Sequence, residues 1–132
     1  MPLLIYNRTS FVCSSKIFEA LFSRARKIVK LQEEEISLAI LSRGDMRRIN
    51  RVYRACDEPT DVLSFDYGEI LLCPAYIKEK YRLSSSREIA EKMRELFIHG
   101  LVHIAGFRHG TKKQERAMQK VEEKIFNPNF ND

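Results

Sequence analysis

The segment IAEKMRELFIHGLVHIAGFRHG (residues 89–110) combines a long apolar pattern with every histidine in the 132-residue chain. Its apolar side chains recur three or four positions apart, as they do on the buried side of a helix. They are Ile89, Met93, Leu96, Phe97, Leu101 and Ile104. This spacing predicts a central, largely buried helix over residues 86–105, around which the rest of the chain has to pack.

The three histidines in this segment have a spacing that can bring their rings together. His99 and His103 are four residues apart and therefore lie on one face of the helix. Gly106 is placed to end the helix in a left-handed conformation, after which the chain can reverse and bring His109 beside the other two. Three imidazoles with an open fourth position are typical of catalytic zinc sites, whereas structural sites usually have four protein ligands. We therefore expect one divalent transition-metal ion here, with zinc as the first choice, rather than histidines grouped by chance.

The residue after the first histidine limits the chemistry of this metal site. Metzincin peptidases share the histidine spacing, but they place a glutamate directly after the first histidine as general base. Gly100 stands at that position here. The pattern thus predicts a metal site with the metzincin histidine spacing, and it argues against the metzincin peptidase mechanism. A peptidase using a distant carboxylate such as Glu69 is left as a minor alternative.

The N-terminal third of the chain has the pattern of a strand, a helix and a second strand. Residues 3–7 and 36–42 are short apolar runs, and the helix between them is expected to run from Ser14 or Ser15 to about residue 31. Strands joined in this way normally pair in parallel. The apolar positions expected to face the core are Ile17, Leu21, Ala25, Ile28 and Val29.

A strongly basic helix follows, in the stretch DMRRINRVYR (residues 45–54), with Asp45 as its expected cap. The residues expected to pack inward are Met46, Ile49, Val52 and Tyr53. Arg47, Arg51 and Arg54 share another stripe, and arginine forks suit phosphate oxygens. This stripe is either a surface that follows an RNA backbone or an ordinary solvated face. Lys112 and Lys113, just after His109, are weaker candidates for the same contact.

The middle of the chain predicts a hairpin and a short helix. The strands 61–66 and 69–73 flank Tyr67-Gly68 as a tight turn, and Thr60 and Asp61 are expected to organise the preceding loop. Pro74 suits the first position of a helix over residues 74–81.

Two capping boxes predict where the last helices begin. They are Ser85 with Glu88, and Thr111 with Gln114. In the final helix Met118, Val121 and Ile125 are expected to face inward. We expect residues 1–126 to form a single α+β domain, with a small mixed sheet packed with several helices, and residues 127–132 to form a short tail.

Composition excludes several classes of protein. Hydrophobic residues make up 44% and charged residues 31%, as in ordinary globular proteins, and no apolar run is long enough for a membrane span. Cys13, Cys56 and Cys73 form no paired pattern, which favours a reducing compartment, and no secretory signal is seen, so we expect a cytoplasmic protein. The formal net charge of +5 is compatible with nucleic acid as a partner.

Two motifs in this order resemble a known family. The segment HGLVHIAGFRHG, preceded by NRVYRACDEPTDVLSF and GEILLC, is similar to the YbeY endoribonucleases, or rRNA maturation factors, from about residue 36 to 126. The resemblance implies an α+β fold and a metal-dependent endoribonuclease that acts on single-stranded RNA. Its implied roles are rRNA maturation, notably at the 3′ end of small-subunit rRNA, and ribosome quality control, with ribosomal proteins as further partners and no membrane.

Carried over residue by residue, the resemblance makes His99, His103 and His109 the metal ligands and Arg54 the catalytic residue of the cleft. The chain departs from the family pattern at three positions. Arg108 stands where aspartate is usual, Asp66 replaces a proline, and Glu69 replaces an aspartate. A non-catalytic alternative therefore stays open: a ribosome-assembly factor that binds RNA and holds a structural metal.

Overall fold

The computed structural model describes residues 3–32 and 35–127, and it confirms the expected mixed sheet packed with helices. The elements in chain order are β1 (Leu3–Asn7), α1 (Ser15–Ile28), β2 (Ile36–Ile40), α2 (Arg43–Arg54), β3 (Val62–Phe65), β4 (Glu69–Leu72), α3 (Pro74–Lys80), α4 (Ser86–Ile104) and α5 (Lys112–Phe126). Apart from Asn127, the predicted tail lies outside the described residues.

The four strands form one sheet in the order β1-β2-β4-β3. The expected parallel pairing of β1 with β2 is confirmed, and it begins with Leu3 opposite Ile36. β2 also pairs in parallel with β4, whereas β3 runs antiparallel to β4 and occupies an edge of the sheet. The hairpin loop has three residues, 66–68, because Phe65 pairs with Glu69. The two-residue turn expected from the sequence was therefore wrong. Gly68 supplies the positive φ, 108°, that the last position of the loop needs.

One face of the sheet carries what we call the main core. Alternate residues of β2 and β4 point from this face toward α1, α4 and α5. Fully buried members of this core are Ile36, Leu38, Ile40, Ile70, Leu72, Met93, Phe97, Leu101 and Ile125. The rings of Phe18 and Phe97 meet edge to face at 5.2 Å between centroids. The central helix α4 is therefore fixed along its length by apolar packing.

The opposite face carries a much smaller group of buried side chains, which we call the small core. It consists of Leu41, Met46, Leu63, Leu71 and Cys73. The helix that covers it is α2, whose remaining surface is largely exposed. Leu63 and Leu71 are directly opposed in the β3–β4 pair, so the period of two along the strands separates the two cores.

The buried side of α1 agrees with the expected one at Leu21 and Ala25 but not at two other positions. Ile17 and Ile28 are about 40% exposed, and the helix places Phe18 and Phe22 inward instead. The apolar spacing allows either face, and the larger phenylalanine rings bury more apolar surface. The helix also ends at Ile28, short of the expected residue 31, although Val29 is buried as predicted.

The beginning and the inner face of α2 also differ from the sequence-based expectation. The helix begins at Arg43, and its cap is Ser42, whose hydroxyl accepts a hydrogen bond from the Asp45 amide at 3.2 Å. Met46 is buried and Ile49 packs on the small core, as expected, but Val52 and Tyr53 are about 70% exposed.

Asn50 takes the inward position that the sequence assigned to apolar residues. It is buried, and its side-chain amide donates to the Glu58 carbonyl at 2.8 Å. A satisfied polar group can replace an apolar one in a buried position. This bond ties the loop after α2 back to the helix.

Asp61 organises the loop before β3, as expected, and does so while buried. Its carboxylate accepts hydrogen bonds from the Tyr81 hydroxyl at 2.6 Å, the Lys80 ammonium at 3.0 Å and the Val62 amide at 2.8 Å. Burial alone would raise the pKa of Asp61, but these donors outweigh it and the pKa is lowered. The carboxylate thus joins the edge strand to the end of α3.

The two capping boxes are confirmed at the beginnings of α4 and α5. Pro74 occupies the first turn of α3, and Met118 and Ile125 are buried as predicted, with Val121 packed against the main core. Among the described residues, no helix is both long enough and apolar enough to cross a membrane.

Candidate metal centre

The end of α4 positions the histidines. The helix stops after Ile104, and the amides of Gly106 and Phe107 donate to the carbonyls of His103 and Val102 at 2.9 and 3.2 Å. This pair of bonds, with a φ of +106° at Gly106, is a Schellman motif. The predicted left-handed turn is confirmed, and it directs the chain back toward the helix end.

The three imidazoles converge as the spacing indicated. The ring centroids of His99 and His103 are 4.7 Å apart, and those of His103 and His109 are 5.1 Å apart. One nitrogen from each ring lies within 4.8 Å of the others, which is an arrangement able to hold a metal ion. His99 and His103 are half-buried on α4, whereas His109 is exposed on the loop before α5.

Glu122 is a member of this site that sequence reasoning missed. Its carboxylate lies 2.7 Å from Nδ1 of His99, and both side chains are partly buried. An ionised carboxylate only accepts hydrogen bonds, so this contact favours the neutral tautomer with the proton on Nδ1, which leaves the Nε2 lone pair for a ligand. Glu122 lies on α5, 23 residues away along the chain, and only the packing of α5 on α4 brings it here.

The surroundings of His103 favour its neutral form. Burial lowers the pKa of His103, and the neighbouring His99, His109 and Arg108 act in the same direction, against a smaller opposing effect of Glu122. A neutral imidazole is the form that binds metal.

Arg108, which departs from the family pattern, has a clear structural contact. Its guanidinium donates to the carbonyls of His103 at 3.1 Å and Phe107 at 2.9 Å. The His103 carbonyl already accepts from the Gly106 amide and has a second lone pair for Arg108, and a cation near the end of a helix is stabilising. Arg108 therefore stabilises the turn between His103 and His109. The carboxylate that the usual aspartate would bring to this turn is absent.

Gly100 faces the sheet and packs tightly against it. A β-carbon at this position would lie 3.1–3.3 Å from side-chain atoms of Ile70 in β4. The absence of a side chain lets α4 lie close to the sheet, directly beside His99. A glutamate at this position would meet the main core, which supports the sequence argument against the metzincin mechanism.

A cavity of about 370 Å³ opens beside the histidines, between α4 and α5. It is lined by His99, His109, Glu115, Met118, Gln119 and Glu122. The residues predicted from the sequence to contact RNA are not among those that line it. Lys112 and Lys113 are exposed in the first turn of α5, on the same segment that follows His109.

The arginines of α2 are not equivalent in the structure. Arg47 forms a two-pronged ion pair with Asp57, and Arg51 lies 3.7 Å from the same carboxylate. Arg43 and Arg48 pair with Glu79 and Asp45. Within the described ranges 3–32 and 35–127, Arg54 alone among the arginines of α2 forms no ion pair. It is exposed at the end of the helix.

The three cysteines do not join the histidine group. All are free, and Cys73 is buried while Cys56 is exposed. In the described part of the chain the group able to hold a metal contains His99, His103 and His109 only. The candidate ligand set in the described residues therefore has three members.

Comparison with known proteins places the chain in a family. The family model described as endoribonuclease YbeY matches residues 7–129. The chain belongs to the YbeY family. The endoribonuclease YbeY of Sulfurimonas denitrificans is 32% identical over 123 residues, which cover 84% of each chain. The endoribonuclease YbeY of Thermotoga maritima is 32% identical over 103 residues, or 72% of this chain and 68% of that protein. The resemblance that the two motifs indicated is thus confirmed.

A solved structure supports the fold independently. The solution structure of TM1509 from Thermotoga maritima matches with a TM-score of 0.63 and covers 96% of this chain and 91% of its own length. At 24% sequence identity, this likeness concerns the fold alone.

Proposed function

We propose that this YbeY-family protein is a metal-dependent endoribonuclease for single-stranded RNA, with residues 1–126 acting as one domain. Three imidazoles that converge within 4.8 Å, in a chain that belongs to an endoribonuclease family, are the observation that carries this conclusion. His99, His103 and His109 are the proposed metal ligands.

The donor set fits one divalent transition-metal ion. Imidazole nitrogens suit zinc and its neighbours, and three protein ligands leave a position open for a substrate or water. The carboxylate of Glu122 orients the ring of His99, as second-layer carboxylates commonly do at histidine metal sites. We propose zinc as the ion. Such an ion supplies Lewis-acid activation of water and of a phosphoryl oxygen.

Arg54 is the proposed catalytic residue outside the metal centre. Its guanidinium is exposed and, among the described residues, has no carboxylate partner, so it is available to a phosphate. It would neutralise the charge that develops on the phosphate during cleavage. Arg47 and Arg51 would have to break their ion pairs with Asp57 before they could bind a phosphate, so we assign them to weaker contacts with the RNA backbone. We assign Lys112 and Lys113 to contacts of the same kind.

The biological substrate proposed for this site is precursor ribosomal RNA. We propose maturation of the 3′ end of small-subunit rRNA and ribosome quality control as its roles, and ribosomal proteins as further partners; family membership supports the RNA substrate. The three free cysteines fit a cytoplasmic location.

Two other functions are less well supported. One is a binding factor with a structural metal. It is less well supported because structural zinc usually has four protein ligands, and the described residues bring three together. The other is a peptidase that uses Glu69 as its base. The Glu69 carboxylate is engaged in the hairpin, where it accepts a hydrogen bond from the Tyr67 hydroxyl at 2.7 Å.

Cleavage of a precursor small-subunit rRNA fragment tests the proposal. Metal-loaded wild-type protein should cut the fragment, His103→Ala should lose both metal and cutting, and Arg54→Ala should keep metal while losing activity. Arg82→Ala, which changes an exposed arginine outside the centre, is a matched control and should cut normally. Full activity in both site variants would refute the assignment, and a metal-loaded wild type that does not cut would favour the binding factor.

A further inference from the structure

Two exposed tyrosine rings and the partly buried ring of Phe65 form a contiguous cluster where the end of α2 meets the β3–β4 hairpin. Tyr53 and Tyr67 are 68% and 66% exposed, and Phe65 lies between them. Phe65 and Tyr67 are stacked at 5.4 Å, and Tyr53 meets Phe65 edge to face at 5.7 Å. We call these three residues the aromatic platform. Exposed apolar clusters of this kind mark binding surfaces.

We propose that the aromatic platform binds the substrate RNA by stacking unpaired bases on Tyr53 and Tyr67. The inference rests on the proposed function and adds a subsite to it, outside the metal centre. Stacking of a base on an aromatic ring contributes about 1–3 kcal/mol and is tolerant of sequence. Bases in a duplex are already stacked on each other, so the platform selects single strands.

The rings are held in place before any ligand arrives. Phe65 packs against the small core, and the Tyr67 hydroxyl donates to the Glu69 carboxylate at 2.7 Å. This hydrogen bond, with some burial and the nearby negative charge, raises the pKa of Tyr67 to about 12. A surface that is already ordered loses less entropy on binding.

The charge beside the platform suits a nucleic acid. Arg54 directly follows Tyr53 in the chain, and it is the α2 arginine without an ion pair among the described residues. A single strand that stacks on Tyr53 would therefore have a guanidinium available at the same end of α2 for one of its phosphates. An exposed aromatic surface with an adjacent available arginine matches single-stranded RNA better than an apolar protein partner.

The edge strand β3 links the platform to the metal centre. Phe65 is preceded by Ser64, which pairs with Ile70, and the Ile70 side chain packs against Gly100 beside His99. On the far side of Glu122, a larger groove is lined by Glu91, Glu95, Glu122 and Glu123, which repel phosphates. We therefore expect the RNA to reach the histidines across the β3 edge rather than along the acidic groove.

Binding measured without cleavage tests this inference. A labelled short oligoadenylate is titrated into the full-length His103→Ala protein, which keeps the platform and is expected not to cut. Adding Tyr53→Ala or Tyr67→Ala should weaken binding about tenfold, whereas Tyr53→Phe should not. Tyr6→Ala removes an exposed tyrosine on β1, at the opposite sheet edge, and should leave the affinity unchanged.

Two further readouts separate stacking from charge and from misfolding. The chain contains no tryptophan, so Tyr53→Trp introduces a single indole whose fluorescence should be quenched by the single strand and not by the duplex. Arg54→Ala should reduce the salt dependence of binding, whereas Tyr53→Ala should leave that slope unchanged.

Unchanged affinity in Tyr53→Ala and Tyr67→Ala, or an indole that is not quenched, would overturn the platform and favour a protein partner for this surface. The nuclease proposal is tested separately, and it would fail if the metal-loaded wild type did not cut RNA. The two proposals can therefore fail independently.

Discussion

On one face of the sheet α1, α4 and α5 bury a core that extends from Leu3 to Ile125, whereas on the other face α2 covers only the small core. His99 and His103 lie on α4, the best-packed helix, and His109 is on the loop that follows it. The platform and Arg54 lie on the thinly covered side. Metal ligands need fixed positions, and a helix held by a large core provides them. Contacts to a long flexible substrate need exposed side chains, which a lightly packed helix can offer.

The largest expected effect that tests this comparison is at Gly100. Gly100→Glu should destabilise the protein by at least about 3 kcal/mol, because it overpacks the contact with Ile70 and buries an unpaired carboxylate. Gly44→Glu is the matched change on the other face. Nothing lies within 4 Å of a β-carbon at Gly44, in the first turn of α2, so its stability should change little. Urea unfolding measures both, and an equal loss in Gly44→Glu would show that the contact with Ile70 is not what makes Gly100→Glu destabilising.

A smaller effect is expected at Asp61, which joins β3 to α3. Asp61→Asn should cost about 1–3 kcal/mol near neutral pH, because it weakens the bonds from Lys80 and Tyr81. The folded-state pKa of Asp61 is lowered. Its contribution is therefore complete above the ordinary pKa of about 3.9 and is lost as the pH falls through the lower, folded-state pKa.

Urea unfolding at two pH values checks this prediction for Asp61. The difference between wild type and Asp61→Asn should be full at neutral pH and should shrink as the pH falls below about 4. Asp57→Asn removes an exposed carboxylate whose pKa is also lowered, by its hydrogen bond from Arg47, but water screens this ion pair, so its pH-dependent loss should be much smaller. A difference for Asp61→Asn that stays constant down to low pH would contradict the lowered pKa.

The smallest of the expected effects concerns Glu122 and sharpens the account of the metal centre. Glu122→Gln keeps an acceptor but removes the charge that orients His99, and it should weaken metal affinity about tenfold. Competition with a chelating dye measures the affinity directly, without activity. The adjacent Glu123→Gln removes the same charge from an exposed position, and its affinity should match the wild type. Equal metal affinities in the wild type and both variants would show that Glu122 does not support the metal centre.

The local features of this fold were predictable from the sequence, and the features that depend on packing were not. The capping boxes at Ser85 and Thr111 and the turn at Gly106 are short-range patterns, and the structure contains all three. The convergence of the histidines followed from the same local geometry. Glu122 could not be predicted, because its contact with His99 depends on how α5 packs against α4.

The errors in α1 and α2 have a related cause. An apolar residue at helical spacing shows that a face can be buried, but the neighbouring elements decide which face is. In α2 the loop that follows the helix accommodates the polar Asn50, and Val52 and Tyr53 stay exposed. That misassigned surface is where the aromatic platform lies.

The measurement that tests the central claim most directly is a titration of metal-free protein with zinc while cleavage of single-stranded RNA is followed. The account predicts that the cleavage rate rises with added metal and reaches its plateau at one equivalent, and that His103→Ala stays inactive throughout. Cleavage by the metal-free wild type, or an undiminished rise in His103→Ala, would contradict it.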